Sequence, residues 1–101
     1  MLFVVFGTDK PDHAHVRDAA RPEHRAYLRA PGRHPVRVCL AGPTLADGTS
    51  AMNGTLLVVE AESIEHVRAF LADDPYSRVG LFASLEVRAW NCGIGNPGAS
   101  R

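Results

Sequence analysis

The chain is poor in the features that most readily announce a function. It has two cysteines, Cys39 and Cys92, with no CxxC spacing. That is too few for a disulfide framework and points to a reducing cytoplasm, with Cys39 as filler within a strand. Neither sign of charge is in excess, because eleven basic and eleven acidic side chains cancel. A nucleic-acid binder or a membrane-surface protein needs a basic patch or stripe, so neither partner is expected. Long apolar runs are missing as well. Met1 to Phe6 is apolar but lacks a basic flank and breaks at Gly7, too short for a leader peptide or a membrane span. No Ser/His/Asp set, phosphate-cradling glycine loop or dinucleotide fingerprint occurs. No internal repeat is present either.

What is there suits one globular domain: 101 residues, 46% hydrophobic and 22% charged, enough for a single core. Leu2 to Phe6 is a continuous run of β-formers, the pattern of a strand covered on both faces. Gly7 to Asp12 breaks it. From about His13, residues Val16, Ala20, His24, Tyr27 and Leu28 recur at spacings of three and four and share one face of a helix. Pro22 lies inside that pattern and predicts a kink or two short helices, with Pro22 in the first turn of the second. Pro31-Gly32 ends the element.

Val36 to Leu40 reads as a second strand at a sheet edge, closed by Ala41-Gly42-Pro43. The polar stretch from Thr44 to Asn53 reads as a long hairpin loop, and Thr55 to Glu60 as a third strand, apolar on both faces. Ser63 is a credible cap for a second helix with a stripe of Ile64, Val67, Phe70 and Leu71. Asp73-Asp74-Pro75-Tyr76 stops or bends it, and Leu85 to Ala89 alternates as a last strand. Residues 1–90 thus form the domain. Asn91 to Arg101, rich in Gly, Asn, Pro and Ser, reads as a loose tail.

The order β-α-β-β-α-β is that of an α+β, ferredoxin-like antiparallel sheet, whose first and third strands are central. Those are the two runs that are apolar on both faces. Two helices cover only one face of such a sheet. Phe3, Val5, Leu56 and Val58, or the alternates Val4, Phe6, Leu57 and Val59, would then lie bare. A bare patch of that size predicts a homodimer packed sheet against sheet.

His24 is the leading candidate for chemistry. An imidazole takes and returns protons near neutrality, so one oriented histidine suffices as a general acid or base. The competing reading is a buried histidine bonded to backbone or to a carboxylate. Asp74 is its natural partner, with Asp73 second, yet Asp-Pro also marks a solvated helix stop. At a helix C-terminus the dipole disfavours that carboxylate. Arg17 and Arg21, four apart, either receive an anionic substrate or pair with Asp18 and Glu23 on a wet surface. Tyr76 is either a hydrogen-bond donor to a ligand or a core ring. His13-Ala-His15 resembles a metal pair, but the two diverge on a helix and no third ligand is near, so no metal is expected. His34 and His66 read as surface residues.

Taken in order, Asp9-Lys10 with Asp12, Arg17, Arg21-Pro22-x-His24 with Leu28, Ala41-Gly42-Pro43, Asp73-Asp74-Pro75-Tyr76 and Gly80 resemble the YCII-related family of small bacterial proteins over residues 1 to about 90. Met52-Asn53 stands where that family has an aromatic, and Phe82 where it commonly has tyrosine. The resemblance implies a ferredoxin-like subunit of a dimeric α/β barrel, similar to relatives of muconolactone isomerase, with a His–Asp site at His24 and Asp74. One branch resembling this family removes chloride from chlorinated hydroxyquinols. The function expected is therefore a lyase or isomerase, needing no cofactor, that moves a proton on a small polar or aromatic substrate. The alternative is a non-catalytic accessory barrel that binds a small ligand.

Overall fold

A computed structural model describes residues 1–95; the last part of the expected tail, 96–101, lies outside the described residues. The elements are β1 (Leu2–Asp9), α1 (Ala14–Arg29), β2 (Val36–Leu45), β3 (Met52–Ala61), α2 (Ile64–Ala72), α3 (Pro75–Arg78) and β4 (Phe82–Trp90). The four strands form one antiparallel sheet in the order β2-β3-β1-β4. The two doubly apolar runs are central and the other two are edges, as the ferredoxin-like reading requires.

Register separates the two faces. Phe3 lies opposite Val59 and Val5 opposite Leu57. These four are buried beneath the helices with Val67, Phe70 and Leu71. Val4 pairs with Val58 and Phe6 with Leu56 on the other face. The set on that second face is therefore Val4, Phe6, Leu56 and Val58, of which Val58 is itself buried, and neither grouping drawn from the sequence is right. A single strand shows which residues alternate. Only pairing shows which alternates of two strands share a side. No helix among the described residues covers that face, and Phe6, Leu56, Leu40 and Trp90 stay exposed.

Pro22 does not break α1, which runs unbroken for 16 residues. Pro22 is exposed, on the outer side of the helix, while buried Arg17, Ala20 and His24 hold the helix on its inner side. Tertiary anchoring outweighs the local penalty. The strands also exceed their sequence bounds. β2 continues through Pro43 to Leu45, shortening the hairpin loop to 46–51. An edge strand tolerates the missing amide hydrogen of Pro43. A bulge between Val38 and Leu40 leaves Cys39 outside the ladder.

Two glycines are needed where they stand. Gly80 has φ +70° and ends the short α3, a backbone conformation open to glycine at little cost. Gly7 lies beneath the Phe82 ring, where an added Cβ would come within 2.7 Å of it.

Candidate active site

The site forms where α1 meets α3 above β3. Asp74 is the N-cap of α3, not the C-terminal residue of α2. Its Oδ1 accepts the Tyr76 amide hydrogen at 2.9 Å. The unfavourable dipole expected from the sequence is thus reversed in sign, because the Asp-Pro step starts a new helical turn. The same Oδ1 lies 2.8 Å from His24 Nδ1. Both side chains are almost sealed, at 7% and 2% exposure. A carboxylate only accepts hydrogen bonds, so Nδ1 carries the hydrogen of this bond, and in the neutral imidazole Nε2 keeps its lone pair. Nε2 has no hydrogen-bond partner among the described residues.

Tyr76 stacks on the His24 ring at 3.8 Å between centroids and 13° between planes. Phe82 meets the tyrosine ring edge-on. The imidazole is therefore fixed by a hydrogen bond at one nitrogen and by a ring on one face. Burial first, with the nearby Asp74 and Asp9 adding to it against the opposing pull of Arg17 and Arg21, raises the Tyr76 pKa above the ordinary tyrosine value. The group stays a phenol at physiological pH.

Arg17 has a different role from either sequence reading. It pairs with neither Asp18 nor a free anion but with Asp9, at the end of β1, through Nε at 2.7 Å and Nη2 at 2.9 Å. Nη2 also donates to Thr55 Oγ1 at 2.8 Å, and Nη1 to the Tyr76 hydroxyl at 3.4 Å. The guanidinium carbon lies 4.7 Å from the Tyr76 ring centre. Burial opposes the charge on Arg17, but the hydrogen bonds and charge of Asp9, with Tyr76 adding to them, together outweigh it and raise its pKa. A buried charge persists only when so paired. Asp9 and Thr55 are site residues to which the sequence reading gave no role, although Asp9 stands in the family motif. The available signals were an acid ending an apolar strand, and a hydroxyl at an inward position of β3.

These groups open onto a cavity of about 490 Å³ between α1 and β2. Its walls include Arg17, Arg21, His24, Thr55 and Tyr76. Asp74 sits behind His24 and does not line it. The expected residues His24, Arg17, Arg21 and Tyr76 thus reach one pocket, and Asp74 supports it from the rear. Cys39 is not core filler, since its bulge turns it to the pocket wall. His34 is not a plain surface residue either. Its Nε2 lies 2.8 Å from Asp73 Oδ2, and its side chain is only 11% exposed.

The YCII-related domain matches residues 1–91. The chain belongs to the YCII-related family. Relatives in this family include Protein YciI of Escherichia coli O6:H1, 31% identical over 93 residues, covering 87% of this chain and 94% of that one. An uncharacterized protein of Haemophilus influenzae is 27% identical over the same coverage. Among solved structures, 5-chloro-2-hydroxyhydroquinone dehydrochlorinase (TftG) of Burkholderia phenoliruptrix, in complex with 2,5-dihydroxybenzoquinone, superposes with a TM-score of 0.81. It is 37% identical, covering 92% of this chain and 96% of that one. An antibiotic biosynthesis monooxygenase shares the fold at a TM-score of 0.52 and 13% identity. Family membership and the ferredoxin-like fold therefore stand together, and a member of the same fold at 37% identity is an enzyme. No helix among the described residues is long and apolar enough to cross a membrane.

Proposed function

We propose that the protein is a cofactor-independent lyase or isomerase in which His24 moves a proton on a small hydroxylated ring or enol. The observation that carries this reading is the 2.8 Å bond from His24 Nδ1 to the buried Asp74 carboxylate, on a histidine that lines the pocket. Asp74 fixes the tautomer and stabilises the imidazolium once formed. Nε2 takes a hydroxyl proton, and the electron pair moves into the ring. Return of that proton to a ring carbon gives the keto tautomer, which is the whole of an isomerase reaction. Where that carbon bears chlorine, chloride leaves with the bonding pair as a second hydroxyl proton is lost, and the sum departing is HCl. Redox balance is internal to the substrate. Positioned acid–base catalysis contributes roughly 10²–10⁴-fold, which suits an activated ring. The similarity to a dehydrochlorinase supports the elimination branch.

The test is turnover across chlorinated and unchlorinated hydroxyquinols, lactones and enols, with chloride release followed directly. Saturable turnover lost in His24→Gln supports the enzyme. Ligand-induced thermal stabilisation without turnover of any compound identifies instead the binding subunit. A symmetric dimer is part of the same reading, with Phe6, Leu56 and Trp90 covered by a second copy. Sedimentation as a monomer at micromolar concentration would remove that part.

A further inference from the structure

Three arginines of the pocket have no role in the proton-transfer reading. Arg21, Arg25 and Arg29 fall at successive fourth positions of α1, and all three line the cavity beside His24. Such positions stand about 6 Å apart on one helix face. The other two arginines of the pocket are already neutralised, Arg17 by Asp9 and Arg37 by Glu60. The row at 21, 25 and 29 has no acidic partner among the described residues, and no aspartate or glutamate lines the pocket. Three like charges along one helix face repel and cost stability. The facing wall, from Val36, Val38, Ala41 and Pro43 of β2, is apolar. One side of the cavity thus suits a planar hydrocarbon body and the other suits fixed negative charge.

We propose that the substrate is a small aromatic or enolic carboxylate. Its body lies against β2, its carboxylate is held by Arg21 and Arg25, and Arg29 draws it in at the mouth. This deepens the acid–base reading of His24 and rests on it for the reaction, but not for the binding. Ring hydroxyls alone do not account for the row. A phenol keeps its proton until about pH 10, whereas a carboxyl is ionised above about pH 4. Of these two groups only the carboxylate carries a full charge for guanidinium groups to grip at neutral pH, and its two oxygens match their paired donors.

Calorimetric titration with hydroquinone and with 2,5-dihydroxybenzoate, which differ by one carboxylate, tests the binding without needing turnover. The dihydroxybenzoate should bind at least about tenfold more tightly, with the advantage eroding as salt rises. Arg21→Gln and Arg25→Gln should each remove most of that advantage while leaving hydroquinone affinity unchanged. His24→Gln, and Arg68→Gln on α2, should preserve it. Equal affinity for both compounds, no binding of either, or a preference that survives the Arg21→Gln/Arg25→Gln double variant overturns the proposal. So does tighter binding of phenyl phosphate than of the benzoate. A carboxylate preference without any turnover would leave this inference standing and remove the acid–base reading. Turnover of uncarboxylated rings alone would do the reverse.

Discussion

Two histidine–aspartate pairs stand side by side in this molecule, built from consecutive aspartates. His24 Nδ1 meets Asp74, and His34 Nε2 meets Asp73, each at 2.8 Å. Each histidine also has a tyrosine, since Tyr76 stacks on His24 and Tyr27 meets His34 edge-on at 6.3 Å. The surroundings of the carboxylates differ. Asp74 is sealed, and among the described residues its side chain bonds only His24 and the start of α3. Asp73 is one-third exposed and is shared with Arg78 at 3.0 Å. His24 lines a cavity of about 490 Å³, whereas His34 packs beside the Phe70 ring and pins the connection after α1 to the end of α2. A bonded imidazole and carboxylate do not by themselves make an active site. The remaining ring nitrogen must face space that a substrate can enter.

The largest separation of the pairs should be in catalysis. His24→Gln should lower kcat by roughly 10²–10⁴-fold in the chloride-release or tautomerisation assay, while His34→Gln leaves it unchanged. Equal losses would mean that both act through stability alone. Next comes stability in urea. Asp74→Ala removes a helix cap and a buried bond to His24 together, a loss of about 2–4 kcal/mol. Asp73→Ala should cost much less, because water and Arg78 already compete for that carboxylate.

The tyrosines offer a smaller contrast at high pH. Burial first, then the charges of Asp73 and Asp74, push Tyr27 up from 10.0 to about 12. The folded chain therefore keeps a proton that the unfolded chain releases, so its contribution is complete below pH 10 and disappears as pH rises toward 12. Tyrosinate absorbance should consequently lag behind that of the unfolded chain above pH 10, and Tyr27→Phe should narrow the lag. The smallest effect lies at the acid end. Hydrogen bonds from His34 and from Arg78 hold Asp73 below its usual 3.8. Its contribution is present above that value and is lost as pH falls through the lower folded one. The melting-temperature difference between wild type and Asp73→Asn should shrink below pH 4, and a constant difference down to pH 2 would show that the bonds to Asp73 contribute nothing.

Much of the site was legible because helical spacing is local information. His24 on the inner face of α1, and an Asp-Pro turn after α2, can both be read from the residues beside them. The ion pair of Arg17 could not, since its partner Asp9 lies on another element, and nearer acids at 18 and 23 offered the simpler local match. Pro22 misled for the opposite reason: its local penalty is real, but the burial of Arg17, Ala20 and His24 is larger. The role of Asp74 hinged on whether residues 75–78 start a helical turn, a choice the four-residue motif leaves open.

By itself the sequence determined the order of the four strands and two longer helices, which strands are central and which helical side chains face inward, because periodicity and turn chemistry act over a few residues. The tertiary structure alone decided which alternates of β1 and β3 share a face, which acid neutralises Arg17, and that one of two equivalent His–Asp bonds borders a cavity. Those outcomes depend on strand register and on the docking of helices far apart in the chain, and packing of the whole core sets both.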